Sequence, residues 1–231
     1  MVERQLVGQE TEPTASDGSG GALWAAFDGF LSDRLAPDDS VLEEIRQRSA
    51  RAGLPDLAIT GNQAALLALL LRLGEARRVL EVGALGGYST VCLARELPDG
   101  GRLVTVGADG RCVEVARESI TAAGLDGRVE VRAGDAELEL ARMMAAGEDP
   151  FDLVFLDVDE RANAVLYPVA RRLVRPGGLV VAGAADLVRG TRALLAAVEA
   201  GPGDRATAVQ TVGSEGRNGF VIVQVAPSGV P

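Results

Sequence analysis

Three acidic side chains gather where an apolar strand ends: Asp157, Asp159 and Glu160 in FDLVFLDVDE, residues 151–160. An unpaired carboxylate at such an edge is costly to bury, so Asp157 reads as a functional group aimed at a ligand. Asp159 or Glu160 becomes a general base if burial or a neighbouring carboxylate raises its pKa. The alternative is two solvated acids that open the next helix. Composition narrows the chemistry further. The chain has no histidine and no lysine, so all 23 of its basic residues are arginine. Arginine stays protonated and is a poor base. A serine–histidine triad, a lysine Schiff base and a histidine metal ligand are therefore excluded. Proton transfer falls to Asp, Glu, Tyr, Cys, a metal-bound hydroxide or the substrate itself.

The second constellation is VLEVGALGGYST, residues 79–90. It reads as a strand, a glycine loop and a helix start. Gly83 lets backbone approach a ligand closely, Gly86 and Gly87 allow the turn, and the helix that follows offers free N–H groups. Glu81, near the strand's end, is placed to meet a cationic or amino-bearing ligand. Ser89 either holds a ligand or caps its helix. The spacing G-x-x-G-G-Y-S departs from the G-x-G-x-x-G of dinucleotide sites, which argues against a nicotinamide cofactor.

These residues are positioned by a regular alternation. RVLEVG (78–83), RLVTVG (102–107), RVEVRAG (128–134), FDLVFLD (151–157) and LVVAG (179–183) read as strands. Helices are expected between them, over about 88–97, 111–123, 136–146 and 162–174, and after them over 191–199. Two last runs around GSEGRNG read as a hairpin. Near-continuous Val and Leu runs joined by helices mean an α/β fold with a parallel sheet buried on both faces. Ahead of this core, residues 22–74 carry three helices, with Pro37-Asp38-Asp39-Ser40 as a break and an N-cap. Helical spacing of Trp24, Phe27 and Phe30 favours packing over lining a site. Residues 1–21 are polar and Gly/Ser-rich, which reads as a flexible acidic tail. The whole is one domain: tail 1–21, helices 22–74 and core 75–231.

The net charge is −10 and the pI about 4.6, which disfavours nucleic acid or an anionic membrane as partner. Cys92 and Cys112 show no metal-type spacing and read as reduced thiols. No run is long enough to span a bilayer, and no hydrophobic signal core opens the chain. The expectation is a cytoplasmic protein acting on a small molecule.

Four segments carry a resemblance to a known family: ARRVLEVGALGGYSTVCLAREL (76–97), AGLDGRVEVRAGDA (123–136), FDLVFLDVD (151–159) and LVRPGGLVV (173–181). The chain from about Ala58 to Val225 resembles class I S-adenosylmethionine (SAM) methyltransferases of the caffeoyl-CoA and catechol O-methyltransferase type. The resemblance implies a Rossmann-like, seven-stranded, mostly parallel sheet of order 3-2-1-4-5-7-6 with an N-terminal helical layer. It implies that Glu81, Gly83, Tyr88 and Ser89 hold the methionine half of SAM, that Asp135 and Ala136 border the adenine, and that Asp157 lies beside the sulfonium. Asp135 equally reads as an N-cap. A homodimer is also implied, with the apolar N-terminal helices as a surface.

Three departures from the family pattern cluster at its chemistry. The acid that binds the ribose is matched by Gly107; Asp109 reaches back in its place or else caps the next helix. The Asp-Asn pair that completes a divalent metal site is matched by Gly183 and Ala184, so a metal is not expected unless Asp186 substitutes. The lysine base is matched by Glu160, leaving Glu160, Asp159 or Tyr167 as bases. The first reading is a metal-independent SAM-dependent O-methyltransferase acting on a small hydroxylated molecule. The alternatives are a non-methylating tailoring enzyme on the same fold and a non-catalytic partner subunit.

Overall fold

The computed structural model describes residues 18–184, 191–201, 203–213 and 216–227. Three helices come first: α1 (Gly18–Leu35), α2 (Ser40–Arg51) and α3 (Gly61–Leu73). The core then alternates: β1 (Arg78–Val82), α4 (Tyr88–Glu96), β2 (Arg102–Gly107), α5 (Gly110–Ala122), β3 (Val129–Ala133), α6 (Ala136–Ala146), β4 (Phe151–Leu156), α7 (Glu160–Leu173), β5 (Val174–Ala184) and α8 (Thr191–Glu199). Strands β6 (Arg205–Gly213) and β7 (Gly216–Gln224) close the chain. The seven strands form one sheet of order β3-β2-β1-β4-β5-β7-β6, parallel except where β7 pairs with β5 and β6.

Side chains of a strand alternate between its two faces. Leu80 and Val82 of β1, with Val104, Val106, Val154, Leu156 and Val180, pack against α6, α7 and α8. Val79, Leu103, Leu153, Phe155 and Val181 face the other way, toward α3, α4 and α5. Burial on both faces explains why these strands read as continuous apolar runs. Glu81 shares the second face with Val79 and stands opposite Thr105 of β2 in the register.

Strand β5 begins at Val174, five residues ahead of the expected LVVAG strand, and takes in Arg175-Pro176-Gly177-Gly178. The elements depart from the sequence reading in three further places. Helix α1 begins at Gly18, taking in four residues assigned to the tail; extending an existing helix by a turn costs far less than nucleating one. Residues 1–17 lie outside the described residues. Strand β7 starts at Gly216, paired with Gly213, so most of GSEGRNG belongs to strand rather than to the connection. Phe27 and Phe30 are half exposed on α1 rather than packed, because α1 turns Asp28 and Ser32 inward toward Asn62 of α3. The side chain of Trp24 lies outside the described residues.

Polar clamps fix the helical layer on the core. Thr60 and Gln63 form a reciprocal capping box on α3, and Gln63 Nε2 donates to Thr211 Oγ1 of β6 at 2.7 Å. Arg48 of α2 reaches Ser119 Oγ of α5 at 3.2 Å. Arg95 of α4 pairs with Asp39 at 2.9 Å.

Candidate active site

Between this layer and the carboxyl end of β1 and β4 lies a cavity of about 980 Å³. That is the size range of small-molecule sites. Its floor is Ala84, Leu85, Gly86, Tyr88, Ser89 and Asp157, and its roof comes from α1, α2 and the segment around Leu54 to Thr60. Among the described residues six carboxylates line it, on Asp28, Asp33, Asp38, Glu43, Asp56 and Asp157, against one cation, Arg46. Its potential therefore favours a cationic ligand.

The glycine loop is shaped by backbone that only glycine tolerates. Gly83 has φ +117°, and a Cβ there would lie 2.1 Å from the carbonyl oxygen of Asp157. The close approach locks the end of β1 to the end of β4, where Asp157 N–H also donates to Val82 O at 2.8 Å. At Gly86 a Cβ would meet Ser49 Oγ at 1.9 Å, so the end of α2 presses directly on the loop. Gly87 precedes α4 without any side-chain cap on the helix's free N–H groups. Such an uncapped N-terminus is a seat for an anion.

Asp157 faces the cavity, and none of the described residues donates a hydrogen bond to its carboxyl. Burial, with the Glu81 charge behind it, pushes its pKa up to about 7. Glu81 does not line the cavity, contrary to the sequence expectation. Its strand position buries it completely between β1, β2 and α4. The hydroxyls of Thr90 and Thr105 donate to its Oε2, the latter at 2.7 Å, while Oε1 has no partner. Burial raises its pKa, opposed by the surrounding hydroxyls.

Tyr88 lines the cavity with its hydroxyl committed to the helical layer. Its hydroxyl donates to Asp38 Oδ1 at 2.5 Å, and Arg46 stacks on its ring 3.7 Å from the centroid. Arg46 Nε donates in turn to Asp38 Oδ2 at 2.6 Å. Nothing local in the sequence marks Asp38 or Arg46 as site residues, because Asp38 is 50 residues from Tyr88. Tyr88→Phe is expected to cost about 1–2 kcal/mol in urea unfolding, since Asp38 loses a buried donor. An unchanged unfolding midpoint would show that Arg46 alone satisfies Asp38.

Several sequence candidates sit elsewhere. Asp109, Asp135 and Asp159 are N-caps: they accept from the backbone N–H of Cys112, Leu138, and Arg161 with Ala162 respectively. None of the three lines the cavity, because each carboxylate is turned back onto its own helix. Ala136 packs on the core beside α6. Ser89 borders the cavity. Glu160 opens α7; its side chain, and all of Asp186, lie outside the described residues. Tyr167 is buried, its hydroxyl 3.3 Å from Asp204, and its pKa is pushed up to about 12, so it is no base for this cavity. At the end of β5, a Cβ on Gly183 would fall 2.9 Å from Asp157 Oδ1. No side chain fits there unless Asp157 moves. Asn163, fully buried, ties this end together by donating to Gly183 O at 2.8 Å and Val158 O at 3.2 Å.

Comparison with known proteins places this geometry. A family model described as O-methyltransferase matches residues 32–193. A catechol O-methyltransferase of Mycobacterium tuberculosis is 40% identical over 212 residues, covering 86% of this chain and 94% of that protein. An O-methyltransferase from Bacillus cereus in complex with S-adenosylhomocysteine (SAH) superposes with a TM-score of 0.83 at 39% identity, covering 88% of this chain and 99% of the other. The O-methyltransferase TomG of Streptomyces achromogenes, involved in tomaymycin synthesis and in complex with SAM, superposes with a TM-score of 0.82 at 34% identity, covering 89% and 98%. With the sheet order, the glycine loop and the carboxylate at the end of β4 all in place, the chain belongs to the class I O-methyltransferases of the caffeoyl-CoA and catechol type.

Proposed function

We propose that this protein transfers the methyl group of SAM to a hydroxyl of a small acceptor held in the cavity under α1 and α2, without a divalent metal. The observation that carries the reading is the pairing of opposite seats at one glycine loop: the uncapped N-terminus of α4 and the unpaired carboxyl of Asp157. A zwitterionic amino acid with an added cationic centre matches both. Support comes also from the SAH and SAM held by the Bacillus and Streptomyces relatives.

When bound, SAM supplies an already activated methyl group, so the chain's task is chiefly positioning. Helix α4 and Ser89 would hold the carboxylate end and Asp157 would face the cation, under a roof held by the Asp38–Arg46–Tyr88 clamp. The acceptor hydroxyl is phenol-like, acidic enough to ionise without lysine or histidine. Metal independence is read from the donor set: Gly183 and Ala184 offer no side-chain oxygen where a hard cation needs about six oxygen ligands. The reading extends to a cytoplasmic homodimer, with half-exposed Phe27 and Phe30 as apolar surface. Among the described residues no helix is long and apolar enough to cross a membrane.

The test is transfer of labelled methyl from SAM to a panel of phenols and catechols, with and without EDTA. Turnover that survives EDTA is expected. Turnover lost in EDTA and restored by Mg2+ would refute metal independence. Bound SAM with no acceptor methylated would favour a non-methylating reaction on this fold.

A further inference from the structure

In a sheet wound this way, a nucleoside ligand lies across the carboxyl ends of the strands where the order reverses. An acidic residue about 20 positions beyond the glycine loop typically receives the ribose hydroxyls. Here the reversal falls between β1 and β4. The residue at the end of β2 is Gly107, 24 positions beyond Gly83.

The room an acidic side chain would need is already filled. A Cβ on Gly107 would lie 2.8 Å from Val113 Cγ2 and 3.5 Å from Ala84 Cβ. Val113 and Ala84 are both buried, and so is Gly107, whose carbonyl accepts from Gly134 N–H at 3.0 Å. Glycine and valine thus fit each other. The next carboxylate along, Asp109, is exposed and held by Cys112 N–H at 2.9 Å. The surroundings of Gly107 at the end of β2 are therefore apolar.

Building on the cofactor reading above, we infer that this protein does not read the ribose hydroxyls of its cofactor through a side chain, and takes 2′-deoxy and 3′-deoxy forms as readily as the parent. Discrimination comes from the methionine end instead, at α4 and Asp157. A carboxylate on the ribose hydroxyls is worth roughly ten- to a hundredfold in affinity. A site without it has no buried acceptor left unpaired when a hydroxyl is missing, and so no means of rejecting the analogue.

The test is calorimetric titration of the full chain with SAH and with its 2′-deoxy and 3′-deoxy derivatives. The three dissociation constants are expected to agree within about twofold. A tenfold or greater loss for either deoxy form overturns this inference and leaves the cofactor reading standing. No binding of SAH at all overturns both. A second arm restores the acid with room for it: Gly107→Glu with Val113→Ala. SAH is expected to bind this variant about tenfold tighter, with no gain for a form lacking both hydroxyls, and Val113→Ala alone to change neither. Equal gains for all ligands would overturn the inference. The comparison on the natural sequence decides even if the double variant does not fold.

Discussion

Asp157→Asn is expected to weaken SAM binding at least thirtyfold and, in the same protein, to raise the melting temperature of the ligand-free form at pH 8. Both effects follow from one carboxyl. Asp157 is partly buried at the cavity floor, receives no hydrogen bond from the described residues, and has its pKa pushed up to about 7 by burial and by Glu81. A carboxylate whose folded pKa lies above its unfolded value opposes folding wherever it must ionise. Its contribution to stability is fully present below about pH 4 and is lost as the pH climbs through 7. The shift of about three units sets a ceiling near 4 kcal/mol. The unpaired amide of Asn gives back about 1–3 kcal/mol of this. A net gain of about 1–2 kcal/mol at pH 8, or about 3–6 °C, is the expected result. The gain should vanish near pH 4.

The binding half has the opposite sign. A cationic ligand selects the ionised carboxylate, so SAM affinity of the natural protein should rise from pH 6 to pH 8 and then level off. Removing one partner of an enclosed charge pair costs about 2–5 kcal/mol, at least thirtyfold in affinity. The Asn variant should bind weakly at every pH and gain a smaller thermal shift than the parent at equal SAM. Calorimetry and thermal melts over pH 4–8 check both halves. A variant that is less stable than the parent at pH 8, or that still binds SAM with full affinity, would refute this account of Asp157.

Gly83→Ala is the substitution with the largest expected structural effect. The methyl would arrive 2.1 Å from the carbonyl oxygen of Asp157 and 2.8 Å from its carbonyl carbon, on a residue with φ +117°. The obstacle is backbone, which cannot swing aside as a side chain can. Relief requires β1 and β4 to part at their carboxyl ends, breaking the bond of Asp157 N–H to Val82 O. A loss of about 3–5 kcal/mol is expected from strain and separation together. Cofactor binding should fall with it, since the same movement displaces Asp157. Gly110→Ala is the matched control. Gly110 is the first residue of α5, and a Cβ there meets nothing within 4 Å. Helix propensity alone predicts a gain of about 0.5–1 kcal/mol. Urea midpoints at equal slope compare the two. Similar stabilities for both variants would show that the loop relaxes freely.

The departures from the family pattern fall into two groups once the fold is seen. Gly107 with Val113, and Gly183 with Asp157, are mutual fits: in each, the missing side chain's space is held by a neighbour. Helix-capping acids form the other group. Asp109 and Asp159 stand close in sequence to lost functional residues, yet each is held by backbone N–H groups of its own helix. A short acidic side chain just ahead of a helix finds those donors within three residues, so local capping wins over reaching across a cavity.

What the sequence determined by itself was the set of elements and the limits on chemistry. Val- and Leu-rich runs of strand length, the caps, and the glycine loop depend on neighbours only a few residues away, and a composition without lysine or histidine needs no structure to exclude their chemistry. The alternation along RVLEV even contained the fate of Glu81, since Val79 and Glu81 must share a face. What waited on each face only the tertiary structure decided. Thr105 meets Glu81 through strand pairing, Asp38 meets Tyr88 across 50 residues, and Val113 fills the space beside Gly107 because α5 folds back on β2. These contacts join segments whose local patterns are independent. They arise only when the sheet and both helical layers pack as one body, and that packing set which carboxylate was buried and which was left facing the cavity.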